Sequence, residues 1–148
     1  MDKRRAIQIM TKVAQLYRDN LDSFAKDGST GQKLDILENM MLLKKNATMI
    51  GEFTDKGPKL FAEKAAGNVC GCIGFVKDKN TRLNVPNTLL KKDIRDVIAQ
   101  PAYKVFAVIS KHYTDEKYSV FSKLDKMIDI NQCHFSDEIE NLIERSWV

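Results

Sequence analysis

Gly67-Asn68-Val69-Cys70-Gly71-Cys72-Ile73-Gly74-Phe75 sets two of the chain's three cysteines one residue apart, with a glycine between them. The stretch reads as a metal site, a redox pair or a buried strand, and the choice decides what kind of molecule this is. Structural zinc draws on cysteines two to four residues apart, where a turn points both thiolates inward. A Cys-x-Cys in extended chain instead puts both side chains on one face, with Cα atoms about 6.5–7 Å apart, beyond the usual disulfide range. Val69, Ile73 and Phe75 alternate through the stretch. It therefore predicts a strand over 68–76, with Cys70 and Cys72 as small apolar packing residues. A zinc site would have to recruit Cys133, His134 or His112 from elsewhere in the chain, so neither metal nor cofactor is expected.

Upstream, Ile7, Met10, Ala14, Tyr17 and Leu21 recur at the spacing of one helical face and predict a helix over 3–25. Turn formers and glycines at 26–31 stop it. Ile36, Met40 and Leu43, beside Leu34, Leu37 and Met41, predict a second helix over 33–44. The residues 47–64 read as a hairpin that turns at Gly57-Pro58. Downstream, 82–85 predicts a short strand closed by Pro86, and Pro86 in turn suits the first position of a helical turn over 86–99. The run 102–111, rich in β-branched and aromatic residues, is the best strand in the chain, and 116–125 the next. The end predicts an amphipathic helix with Ser136 as N-cap and Ile139, Leu142 and Ile143 on one face; a capping role suits His134 as well. N-terminal helices, a central antiparallel sheet and a C-terminal helix make an α+β fold. It is expected to be one domain over 1–148, with 131–148 as an added C-terminal helix.

Composition narrows the class. Hydrophobic residues make up 43% and charged residues 30% of the 148, which suits a packed globular chain rather than a disordered one. No apolar run approaches the roughly 20 residues of a membrane span, no signal peptide is expected, and three cysteines do not make a secreted disulfide framework. A net charge of +4 permits nucleic-acid binding without demanding it. Between 77 and 95 lie Lys77, Lys79, Arg82, Lys91, Lys92 and Arg95 against Asp78 and Asp93, while 137–144 is acidic. That asymmetry is either a binding face or a solvated surface.

Two places invite chemistry. His112, beside Lys111 and Tyr113 at a strand end, reads as a general acid or base of a metal-independent nuclease, or as an exposed turn histidine. In 84–96, Asn87 and Thr88 follow Pro86, and Lys92 and Arg95 lie three apart. On a helix start these groups would converge on a phosphodiester; equally, Pro-Asn-Thr makes an ordinary N-cap. No Walker loop, GxGxxG, HExxH, GxSxG or kinase signature is present.

The run 66–96 (AGNVCGCIGFVKDKNTRLNVPNTLLKKDIRD), the strand ending Ile109-Ser110-Lys111, and 116–124 resemble the phage-associated nuclease domains of the barnase–EndoU–colicin–RelE-like group. The helix 6–21 and the segment 26–53 are also similar, so the resemblance spans roughly 4–125. It implies a small helix-plus-antiparallel-sheet RNase fold that cleaves RNA without metal, as a toxin-like protein of a phage or mobile element in the cytoplasm of its bacterial host. It further implies Lys92, Arg95 and Lys111 as charge stabilisers and His112 as proton shuttle. Asn87 and Thr88 would orient the phosphate, with Lys77, Lys79 and Arg82 beside the substrate. The chain departs from the group's pattern where Asn20 to Ala25 runs directly into Lys26-Asp27-Gly28. An aromatic-His-Leu-x-Gly stretch is expected between them. The alternative expectation is thus a catalytically inactive nuclease fold that inhibits a host protein–nucleic-acid complex, for example a CRISPR-type defence. The partners expected are RNA or such a complex, a homodimer is also open, and a third reading is a structural phage protein.

Overall fold

A computed structural model describes residues 28–54 and 61–144, together with Gln8, Thr11, Lys12, Gln15, Leu16 and Asp19. Those six positions are helical, and Gln15 Nε2 donates to Asp19 Oδ1 one turn on, at 2.8 Å. The rest of the helix predicted over 3–25, the hairpin tip at Gly57-Pro58 and Trp147 lie outside the described residues. The chain forms two compact units, Met1–Lys104 and Val105–Val148.

The first unit carries helix α1 (Ser29–Met41), the single turn α2 (Leu43–Asn46), and strands β1 (Met49–Glu52), β2 (Lys64–Asn68), β3 (Gly71–Lys77), β4 (Asn84–Leu90) and β5 (Tyr103–Lys104). The sheet runs β4-β3-β2-β1-β5 with every pairing antiparallel. The fold is α+β. In α1, Ile36 and Met40, one turn apart, form the buried stripe, while Met41 stays about half exposed. One row across the sheet aligns Met49, Gly67, Cys72 and Leu90, and the next but one aligns Gly51, Ala65, Gly74 and Thr88. Ile94, Val97 and Ile98 complete the core with Ala65, Cys72 and Leu90. Each of the larger aliphatic side chains buried here contributes about 1.5–3 kcal/mol of transfer free energy. The segment that carries Val97 is stitched down by backbone: Thr54 N–H donates to Val97 O and Ala99 N–H to Glu52 O, both at 2.8 Å.

The Gly67–Phe75 stretch is not one strand. β2 ends at Asn68, Val69 and Cys70 make the loop, and β3 begins at Gly71, with Asn68 opposite Gly71. Cys70 is therefore exposed at a hairpin tip and Cys72 fully buried; the expectation of both on one packed face holds for Cys72 alone. Asn68 makes the turn. Its Oδ1 accepts the Cys70 N–H at 2.9 Å, the side-chain mimic of a turn that asparagine favours. Its amide nitrogen donates back to Asn46 O at 3.3 Å and Asn39 Oδ1 at 3.5 Å, and Asn46 Nδ2 donates to Asn39 O at 3.1 Å. This polar knot ties α1 and α2 to the end of β2. Gly67 is required by packing: a Cβ there would strike the Gly71 carbonyl oxygen, and would lie 2.5 Å from Cys72 Cβ.

Residues 82–99 also depart from the expected pattern. No helix starts at Pro86. β4 runs from Asn84 through Pro86 to Leu90, and a 3-10 turn follows only at Ile94–Asp96. Phe75 pairs with Pro86 but Gly74 with Thr88, so Asn87 is an extra residue in the ladder. A proline is tolerated in a sheet on an edge strand or at a bulge, and β4 supplies both.

The run 102–111, expected as one strand, divides between the units. Tyr103 and Lys104 pair with Ile50 and Met49 as β5, whereas β6 (Ala107–Ser110) pairs antiparallel with β7 (Val120–Leu124). The strand predicted over 116–125 is β7 with a later start. The second unit also holds a 3-10 turn (Ile130–Gln132) and the one-turn helix α3 (Asp137–Glu140). Ser136 is its N-cap, through its carbonyl, which accepts from Glu140 N–H at 2.8 Å; the cap is not His134. Of the predicted apolar face, Ile143 is buried, while Ile139 and Leu142 remain about half exposed. Among the described residues no helix is long and apolar enough to cross a membrane.

Candidate functional site

Seven of the nine residues singled out from the sequence sit on one continuous path through the first unit. Lys77 ends β3, Lys79 and Arg82 lie in the following loop, Asn87 and Thr88 are on β4, and Lys92 and Arg95 follow that strand. Asp78 builds the loop. Its Oδ1 accepts from Thr81 N–H at 2.7 Å, Thr81 Oγ1 at 2.8 Å and Asn80 N–H at 3.2 Å. These bonds, Thr81 first, hold its carboxyl below the usual carboxylate range. Arg82 takes the left-handed backbone conformation at φ 62° to close the turn, and Arg82, Lys77 and Lys79 are all exposed. The loop thus displays three cations, and its own aspartate is occupied inward.

Beyond β4 the groups are arranged differently from the expected convergence. Asn87 Nδ2 donates to Phe61 O at 2.6 Å, so the bulged residue fastens a neighbouring segment. Lys91 donates to Asp35 on α1 at 2.8 Å. Arg95 grips Asp93 with Nε and Nη2, and Asp93 also accepts the Arg95 N–H at 2.9 Å, capping the 3-10 turn. The hydrogen bond from Arg95 lowers the Asp93 carboxyl, and the same contact raises the Arg95 guanidinium. Arg95 is a cation already committed to a carboxylate.

Lys111 and His112 occupy the loop between β6 and β7 in the second unit. The turn closes through Asp115 N–H to His112 O at 3.0 Å and His112 N–H to Asp115 Oδ2 at 3.1 Å. Thr114 Oγ1 lies 2.8 Å from His112 Nδ1 and 3.4 Å from Asp115 Oδ1. This hydroxyl serves either neutral ring. It donates to a bare Nδ1, which the Thr114 N–H also approaches at 3.5 Å, or it accepts Nδ1–H and turns its own proton to Asp115. In the second arrangement Nε2 carries the lone pair of a general base, and among the described residues Nε2 has no hydrogen-bond partner. Lys111 Nζ donates to Glu116 O at 3.0 Å and lies 5.3 Å from the centre of the Tyr118 ring. Both partners are neutral, and among the described residues Lys111 makes no ion pair. Thr114, Asp115 and Tyr118 escaped the sequence reading; the His-x-Thr-Asp spacing, which lets a short side chain reach back to the ring, was the available signal.

Among the described residues no group of three His, Cys, Asp or Glu side chains comes together as a metal site. What the geometry defines is a small α+β protein whose exposed hairpins present cations and one hydrogen-bonded histidine. Residues 2–127 match the family model described as phage-Barnase-EndoU-ColicinE5/D-RelE like nuclease4, and the chain belongs to that family of phage-associated, nuclease-fold proteins. No curated protein and no solved structure matches the chain.

Proposed function

We propose that the protein is a metal-independent endoribonuclease that works through the Lys111–His112 loop. Family membership supports the nuclease fold. The observation that carries the choice of site is the neutral company of the Lys111 ammonium, a carbonyl and a ring, beside a His112 ring bonded through a hydroxyl, set against the carboxylates on Arg95 and Lys91. His112 Nε2 takes the proton of the ribose 2′-hydroxyl as its oxygen bonds to phosphorus. The P–O5′ bond breaks, and the 5′-oxygen leaves with a proton from an acid or water. Lys111 stabilises the charge that develops on the phosphoryl oxygens. On the first unit, Lys77, Lys79 and Arg82 attract RNA by its phosphates in their own right, with Lys92, Asn87 and Thr88 as further candidates of that unit. Arg95 meets phosphate only by giving up Asp93.

The test is purified protein with total RNA in EDTA, beside His112→Ala. The expected products end in 2′,3′-cyclic phosphate, and the variant loses about 10²–10⁴-fold in rate with stability unchanged within about 0.5 kcal/mol. Intact RNA that still binds in a salt-dependent way would sink the enzyme and leave an inhibitor of a host protein–nucleic-acid complex in its place.

A further inference from the structure

The family match stops at residue 127, yet the chain beyond it returns to the loop that holds Lys111. Tyr118 N–H donates to Leu142 O at 2.8 Å, and Glu144 N–H donates to Tyr118 O at 3.0 Å. Together they make a parallel bridge between Tyr118 and Ile143. Ile143 is the buried side chain of this segment, 6% exposed between half-exposed Leu142 and half-buried Glu144. Both backbone groups of Tyr118 are therefore fixed by the tail, and its ring is the platform beneath the Lys111 ammonium. A two-stranded sheet is marginal by itself in water, and this added rung steadies the approach to β7 in the β6–β7 pair.

We propose that Leu142–Glu144 is a positioning element for Lys111, acting through Tyr118. The inference rests on the reading of Lys111 as the phosphate-facing cation, and it assigns a role to the part of the chain outside the family's common region. A cation held over an aromatic face gains about 0.5–1 kcal/mol at an exposed site, enough to favour one arrangement of a long side chain only if the ring itself stays put. The tail supplies that constraint.

Glu144→Pro removes the N–H that Tyr118 O accepts, and Glu144→Ala keeps it. In the full-length protein, the Lys111 ε-methylene protons are expected upfield of those of other lysines, shifted by the Tyr118 ring. That shift should be lost in Tyr118→Leu and Glu144→Pro and kept in Glu144→Ala. If the wild type cleaves RNA, Glu144→Pro should lower kcat about tenfold to a hundredfold with KM within about twofold. A wild-type Lys111 without the shift, a shift that survives Glu144→Pro, or a lost shift with kcat unchanged each overturns the proposal. Should Glu144→Pro fail to fold, amide exchange in the wild type decides: slow exchange at both Tyr118 and Glu144 supports the bridge, and unprotected exchange overturns it. If the wild type leaves RNA intact, the ribonuclease reading fails, while the proton shifts still decide whether the tail positions Lys111.

Discussion

The two units are built on opposite principles. Among the described residues the first holds nearly all the buried hydrophobic ones, from Ile36 and Met40 through Ala65 and Cys72 to Ile94, Val97 and Ile98, whereas Ile143 is the second unit's contribution. Three cations of the first unit differ from Lys111 in the same sense, while Lys77, Lys79 and Arg82 stay exposed in their loop. Lys91 and Arg95 are paired with Asp35 and Asp93, and Lys64 with Glu52 directly across the β1–β2 ladder. Lys111 instead rests on a carbonyl and a ring, and the His112 ring on a hydroxyl, while the His112 backbone N–H holds Asp115. Close packing and compensated charge specify a scaffold; sparse packing with uncompensated charge leaves groups available to a polyanion.

The sharpest test of that contrast is Gly67→Ala. The added methyl has no room against Gly71 O and Cys72, and those are backbone and fully buried atoms that cannot step aside. A loss of about 3 kcal/mol, the upper end of the usual overpacking cost, is expected in denaturant unfolding of the first unit. A near-neutral result would mean that its core is looser than described. A smaller effect should follow Asp93→Asn. Releasing Arg95 frees a cation to meet phosphate, so RNA binding should tighten and the salt slope steepen by about 0.7 for each further phosphate neutralised on a single strand. Unchanged binding would make Arg95 irrelevant to the interface even when unpaired. The smallest effect concerns acid. Asp78 and Asp93 both have folded-state values lowered by hydrogen bonds, so their contribution is present above the unfolded carboxylate value and is lost as pH falls through the folded one. Below about pH 4, amide protection relative to the unfolded chain should fall at Asn80, Thr81 and Arg95. Unchanged protection at these three amides would mean that the two carboxylates do not hold their turns.

Much of this could be read from the residues, and the failures have physical causes. The α+β class, the second helix and the first arm of the hairpin over 47–64 followed from periodicity and turn formers. The strand over 68–76 was broken by Asn68, whose side chain turns the backbone while the apolar alternation of Val69, Ile73 and Phe75 continues uninterrupted across the loop. Pro86-Asn87-Thr88 carries the local chemistry of a helix start, but pairing with β3 overrides it, and the bulge absorbs the proline. Nothing local divides 102–111: its residues favour extended chain throughout, and only the choice of partners, β1 for Tyr103 and β7 for Ala107, separates the halves. For the site, His112 and Lys111 were visible as residue types. Their neutral partners were not, because Thr114 and Tyr118 look like ordinary surface residues until a loop closes around them.

Pro86 and the doubled position at Asn87 bear on the protein's behaviour in crowded solution. β4 is the outer strand of the sheet, with Leu83 and Val85 exposed along its approach, and such a border invites strands from other molecules to join it. Proline and a bulge are two devices that blunt such a border, and β4 carries both, at Pro86 and Asn87. The same irregularity that conceals this strand from a reader of the sequence breaks the regularity that an added strand would need.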